Sequence, residues 1–448
     1  MNGLLALLLL ALGVSISVFV PVYGASAVIA GAGLTFVAGA LIYRAGVERE
    51  FLLRIFVAGL IVRVVIGTVI FVLDLQDFFG GDAYTYDELG YSILRLWQGE
   101  TQFQWHIDRF STGGGWGMLY MVGAIYAVVG RNMLAIQYAN AVMGAATAPI
   151  IYLCAQHIFH NVKVARVAAF LVAFYPSLIL WSSQGLKDGP TVFLLALAML
   201  ATLKLGEKLS FQYLLILGCA LFGTLSLRFY TFYMVVAAIG GAFVVGMREV
   251  TAQSLARQFA IIITMGLAMT YFGVLRTAGS QMERFGSLEA VQRSRADQSR
   301  SGRSGFGRDV DVSTTSGALT AIPVGMVYLM FAPFPWQLGS LRQSITLPEM
   351  VVWWASFPLF VLGVWFTVSY RLRQALPILI FTLMLTLAYS VFQGNIGTAY
   401  RQRSQLLVFY FIFVGTGFVL LKERNEESQQ VATAAKQAAI SRRAPHRV

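Results

Sequence analysis

The chain has 448 residues, of which 57% are hydrophobic and 12% charged, about half the charged fraction of an average soluble protein. The formal net charge is +12, but the basic residues lie mostly in short loops, in an Arg-rich segment after Arg276 and in the tail after Lys422, so topology and anionic lipid headgroups explain them better than nucleic acid does. Cys154 and Cys219, the two cysteines, lie inside apolar runs without CxxC spacing or a His partner, which argues against a disulfide framework and a zinc site.

Apolar runs of about 18 to 23 residues match spanning helices rather than the shorter, alternating strands of a barrel. They fall near residues 3–22, 26–43, 51–73, 133–155, 167–183, 190–205, 211–227, 229–247, 258–275, 350–369, 375–392 and 405–421. The first has no basic residue before it and no small-residue cleavage site after it, so it reads as a retained anchor. The expected fold is an all-α polytopic membrane protein with about 12 transmembrane helices. Two shorter runs, Trp116 to Gly130 and Ala318 to Trp336, read as re-entrant or interfacial helices.

Placing Arg44, Lys163, Arg166, Lys204, Lys208, Arg248, Arg257, Arg371, Arg373 and the tail on the cytoplasmic side puts both termini there. The outer face then receives 74–115, 184–190, 276–317 and 394–405. Residues 276–317 are polar and rich in Ser, Gly and Arg, and predict a mobile outside loop. One membrane domain, 1–421, is expected, followed by a basic cytoplasmic tail, 422–448. No internal repeat supports an inverted-repeat transporter.

Chemistry concentrates on the outer face. Five carboxylates, Asp74, Asp77, Asp82, Asp87 and Glu88, follow the third span. From Ala83 to Gln98 the apolar residues recur at helical spacing, predicting an amphipathic helix at the interface. Asp82, after Gly80 and Gly81, is read either as its N-cap or as a general base for an acceptor hydroxyl. Spacing alone does not rank it against Asp77 or Asp87, and Tyr84 and Tyr86 are candidate cavity residues beside it.

The turn WSSQGLKDGP, Trp181 to Pro190, carries Lys187 and Asp188, a solvated loop pair or, for Lys187, a phosphate-binding cation. Arg228 is followed by FYTFYM and reads as an aromatic-belt anchor or a second phosphate ligand. Arg401 and Arg403, beside Tyr400 in GNIGTAYRQRSQ, run against the positive-inside bias, which favours a phosphate-binding role. Arg63, near the middle of the third span, lacks a carboxylate within that span and reads as cavity-lining or as snorkelling. The four histidines form no HExxH, triad or phosphate loop.

This pattern resembles the GT-C superfamily of integral membrane glycosyltransferases, which includes the protein O-mannosyltransferases and the aminoarabinose transferase of lipid A. The resemblance rests on the first outside loop with GGDAYTYD, on the block from Ile151 to Leu200 containing PSLILWSS and Lys187, and on YRQR, Tyr400 to Arg403. Three spans precede the acidic loop where the superfamily usually has one, and no large soluble domain follows the last span.

The resemblance implies an enzyme of a bacterial inner (plasma) membrane that transfers sugar from a polyprenyl-phosphate donor to a glycan, lipid or protein acceptor. Asp82 would be the base, and inversion is expected. Its partners are then donor, acceptor and membrane lipids, with no nucleic acid. No cofactor is assigned, although Asp74, Asp77 and Asp82 offer oxygen ligands of the kind that suit Mg²⁺ or Mn²⁺. The competing readings are a polymerase or ligase of lipid-linked polysaccharide, and a transporter or flippase of lipid-linked glycans.

Overall fold

The computed structural model describes residues 3–111, 115–245, 266, 287–301, 304–307 and 309–443. It is helical throughout, with one isolated bridge between Gly305 and Asn395 and no strand among the described residues. In chain order the helices are α1 (Gly3–Phe19), α2 (Gly24–Arg44), α3 (Arg49–Val72), α4 (Gln76–Phe79), α5 (Asp82–Trp97), α6 (Gln104–Ser111), α7 (Trp116–Val129), α8 (Met133–Phe159), α9 (Val162–Phe174), α10 (Pro176–Ser182), α11 (Asp188–Glu207), α12 (Phe211–Leu227) and α13 (Phe229–Val245). After the undescribed stretch come α14 (Leu288–Ser301), α15 (Thr315–Phe331), α16 (Leu341–Tyr370), α17 (Leu372–Phe392), α18 (Ile396–Gln402) and α19 (Ser404–Arg443).

Several helix starts are written in the local sequence. Asn132 accepts from the amides of Leu134 (3.0 Å) and Ala135 (3.3 Å), and Asn161 from those of Lys163 (2.9 Å) and Val164 (3.3 Å), satisfying N–H groups that have no intrahelical partner. Helices apolar on all sides belong in the middle of a bundle. Accordingly α8, α11 and α19 are largely enclosed, whereas α2 and α16 keep most of their apolar surface outward. Close packing of α16 on α19 relies on glycine. A methyl group on Gly363 would run into the Phe413 carbonyl, and one on Gly417 into that of Leu359, a use of small residues typical of helix contacts in lipid.

The polytopic all-α fold is as expected, while the count of about twelve spans is not confirmed by the described residues. Among the described residues, seven helices are long and apolar enough to cross a membrane, or eight if the bent pair α9 and α10 is one span, while α1, α12 and α13 are shorter. The run 258–275 lies outside the described residues. The run expected at 167–183 is two helices meeting at 54°, because Pro176 has no N–H to continue α9 and instead opens α10.

The two short runs, expected to be re-entrant or interfacial, form α7 and α15, both too short to count among the long apolar helices. Gly117, near the start of α7, abuts Ser226 at the end of α12, and Asn132, just past its other end, donates to the Tyr23 carbonyl beside α2 at 2.8 Å. Helix α15 likewise begins against Val391 and Phe392, and Ala332, just past its end, accepts from Arg403 beside α19. Each thus has both ends at one end of the bundle.

Residues 276–317 are not a loop throughout. From Leu288 they form α14, which is too polar for a core of its own but docks through Arg295. That guanidinium donates to the carbonyls of Val391 and Gln393, each at 2.9 Å, at the end of α17. Residues 276–286 lie outside the described residues. The expected tail continues α19 to Arg443.

Candidate active site

At the end of the bundle where α4, α10, α12 and α18 converge there is a cavity of about 830 Å³. Asp82, Lys187, Arg228, Arg342 and Arg401 line it, together with Phe78, Phe79, Trp181 and Tyr400. The arrangement is built around a residue below the lining, Asp188, which is fully buried as the first residue of α11. One of its carboxylate oxygens accepts from Arg228 at 2.6 Å and the other from Arg401 Nε at 2.7 Å. Arg401 also donates to Asp82 at 2.7 Å. A single buried acid therefore fixes two guanidiniums, one of which reaches on to the acid at the cavity rim.

Each member is placed by its local sequence. Gly80 has a φ of +154°, a backbone that favours glycine, and the turn it makes delivers Asp82 as the first residue of α5. The N-cap is Gly81 and no side chain caps the helix, so the capping role read for Asp82 is replaced by its bond to Arg401. The helix dipole favours a carboxylate there. Asn140 donates to the carbonyls of Gln184 (2.6 Å) and Leu186 (2.7 Å), fixing the turn that presents Lys187. Arg228 ends α12, and a second of its nitrogens donates to the Tyr230 hydroxyl at 2.7 Å. Tyr389 donates to Gln405 at 3.1 Å behind it.

Lys187 and Asp188 are not a solvated loop pair. Asp188 is saturated by two arginines, and Lys187 makes no ion pair within 4 Å among the described residues. Burial, reinforced by the neighbouring Arg228, pulls the Lys187 ammonium down to about 8 from its ordinary 10.5. Counting Asp82 and Asp188 against Lys187, Arg228, Arg342 and Arg401 leaves an excess of two positive charges around the cavity. An anion is the natural guest.

Other sequence candidates lie elsewhere. Asp87 is buried on α5 and accepts from Tyr126 and from Arg131 (Nε at 3.1 Å), so it clamps α5 to the end of α7 instead of facing the cavity. Asp77 is exposed, and its backbone carbonyl accepts from Arg342 at 3.1 Å. Tyr84 donates to Asp74 away from the lining. Tyr86 packs in the adjoining core, and its hydroxyl is held well above the ordinary range by burial and by Asp82.

Arg403 is not a cavity residue. Fully buried, it donates to the carbonyls of Leu329 (2.6 Å) and Ala332, orphaned where α15 ends. Arg63 does not snorkel, and it forms no ion pair among the described residues. It donates to Ser182 Oγ (2.8 Å) and to the carbonyls of Gly59 (3.0 Å), Ala173 (2.8 Å) and Val172 (3.3 Å), closing the end of α9 where the chain breaks before Pro176.

Sequence reasoning missed the organising role of Asp188, Arg342 at the rim, and Glu349. The Glu349 carboxylate is buried on α16 and accepts from Tyr400 at 2.7 Å. A lone acid at the edge of an apolar run was the available signal for Glu349. Among the described residues no three His, Cys, Asp or Glu side chains converge as a metal site.

Residues 116–275 match the family model described as dolichyl-phosphate-mannose-protein mannosyltransferase, and the resemblance to GT-C membrane glycosyltransferases holds in that stretch, about a third of the chain. No curated protein gives a significant sequence match. Among solved structures, the oligosaccharyltransferase of Archaeoglobus fulgidus in complex with Zn and sulfate aligns at 16% identity with a TM-score of 0.42, over 73% of this chain and 43% of its own. The same protein tethered to an acceptor peptide containing the NVT sequon aligns at 14% identity with a TM-score of 0.39, over 67% and 41%. The chain thus spans less than half the length of these proteins.

Proposed function

We propose, from the premise that residues 116–275 resemble the mannosyltransferase family, that this chain is a membrane glycosyltransferase using a polyprenyl-phosphate-linked sugar at the outer face of the membrane. The observation that carries the reading is the Arg228–Asp188–Arg401 assembly with Asp82 bonded to its outer member. It sets phosphate-binding cations and a rim carboxylate side by side in one cavity.

In this reading Lys187, Arg228 and Arg401 hold the donor phosphate. The acceptor hydroxyl oxygen attacks the anomeric carbon, the bond from that carbon to the phosphate oxygen breaks, and the released phosphate keeps the electron pair. Cations fixed before the reaction stabilise the growing charge without reorganising. Asp82 takes the acceptor proton, and displacement from the face opposite the phosphate inverts the anomeric centre. The acceptor is a glycan, a lipid or a protein. In this reading an acceptor arriving from water meets a donor arriving through lipid at Asp82, which is exposed at the cavity rim.

Purified wild type and Asp82→Asn, incubated with radiolabelled polyprenyl-phosphate sugars and a membrane extract as acceptor source, test the reading. Transfer by the wild type, lost at least ~100-fold in the variant with donor binding retained, is the expected result, since a positioned base contributes about 10²- to 10⁴-fold. If neither protein forms a glycosidic bond while both move labelled lipid across liposomes, the chain is a transporter. Repeat-unit ladders would instead identify a polymerase.

A further inference from the structure

The cavity has a second, chemically different wall. Helix α18 buries Ala399 away from the cavity and turns Thr398, Arg401 and Gln402 toward it, as the i, i+3, i+4 spacing requires, while Tyr400, itself buried, borders the cavity beside them. The helix is firmly set. Asn395 caps it through the amides of Gly397 (2.8 Å) and Thr398 (3.3 Å), and Tyr400 is tied to Glu349. The Thr398 hydroxyl has no partner among the described residues. Gln402 accepts from Gln393 through its amide oxygen, which leaves its amide N–H groups without a described partner. Two neutral hydrogen-bonding groups thus flank the guanidinium that would hold the donor phosphate.

The charges narrow what this wall accepts. Asp82 is the one carboxylate among the described lining residues and is already bonded to Arg401, while Asp188 is saturated from below. A sugar carrying an ammonium would meet four cations and no free acid, whereas ring hydroxyls match a hydroxyl and an amide.

We propose that Thr398 and Gln402 form the subsite for the donor's sugar, and that the transferred sugar is an uncharged one recognised through its hydroxyls, not a cationic amino sugar. This rests on the glycosyl-transfer reading of the same cavity.

The test compares kcat/KM for polyprenyl phosphates carrying mannose, glucose, galactose or 4-amino-4-deoxyarabinose in the wild type, Thr398→Val and Gln402→Leu. Inhibition by sugar-free polyprenyl phosphate is measured alongside. The wild type is expected to use one neutral hexose at least ~100-fold better than the amino sugar. Each variant should flatten the preference among the three hexoses by up to about tenfold, the scale of one neutral hydrogen bond, with inhibition by the sugar-free lipid unchanged. Preference for the amino sugar, an unaltered hexose preference in both variants, or a change in acceptor KM alone would overturn the proposal. If the wild type binds the sugar-free lipid but turns over no donor, the glycosyl-transfer reading itself fails and takes this proposal with it.

Discussion

Lys187 and Asp188 are adjacent in sequence and opposite in role. Asp188 is the keystone between Arg228 and Arg401, so Asp188→Asn leaves two enclosed guanidiniums short of a counter-charge. Breaking such a buried pair costs about 3–5 kcal/mol, and a marked drop in melting temperature in detergent, with loss of transfer, is expected. Lys187 has no ion-pair partner among the described residues, and its signature is a pH dependence. With its folded-state value at about 8 and the ordinary value at 10.5, folding favours the neutral amine. The stability associated with that neutral form is complete above 10.5, declines as pH falls through that window, and is gone below about 8. Donor binding has the opposite trend, because the phosphate needs the ammonium. KM for donor should be flat below pH about 8 and rise above it in the wild type, and stay flat in Lys187→Arg. Charged residues stood out in so apolar a sequence, which is why Asp82, Lys187, Arg228 and Arg401 were all legible as candidates. What each charge pairs with was not. An arginine that closes a helix end, such as Arg403 or Arg63, has the same one-dimensional signature as one that meets a ligand, and Asp87 looked no different from Asp82 until Arg131 was brought beside it by folding.

At the scale of single elements, α18 shows how much the site depends on a short helix. Seven residues cannot hold themselves helical in water, so α18 owes its place to the Asn395 cap and to the anchors at Tyr400 and Arg403. Asn395→Ala should cost about 1 kcal/mol of local stability and lower kcat/KM several-fold by letting Arg401 drift, whereas Asn395→Asp, also a good cap, should restore most of it. Steady-state kinetics on the two variants separates a capping role from loss of the side chain as such. Hydropathy located the described long helices because lipid requires long apolar runs, but length does not set α15 apart, since α1, α12 and α13 have the same 17 residues. Hydropathy did not find the break between α9 and α10, where the run from Val167 to Trp181 is interrupted only by Pro176 and Ser177. Nor did it find α14, whose order comes from contacts made by Arg295 with a helix end nearly a hundred residues away.

On the scale of the whole molecule, α8, α11 and α19 form an enclosed centre, and the catalytic candidates gather where these helices and their neighbours end. Composition declared the solvent of this fold, but the way the turns at Gly80, Lys187, Arg228 and Arg401 meet at one end depends on contacts too distant in sequence to read. Arg63 has a consequence for how the protein is made. Its acceptors at Val172, Ala173 and Ser182 lie 109 to 119 residues downstream, so a ribosome has delivered α3 well before the groups that satisfy it exist. An unsatisfied arginine at mid-membrane costs about 2.5–3.5 kcal/mol during insertion. Chains truncated between α8 and α9 should therefore leave α3 incompletely inserted, and chains extended past α10 should recover it, as reported by a glycosylation tag placed after Val72. Insertion of the early helices is then a provisional act, completed only when a later helix arrives.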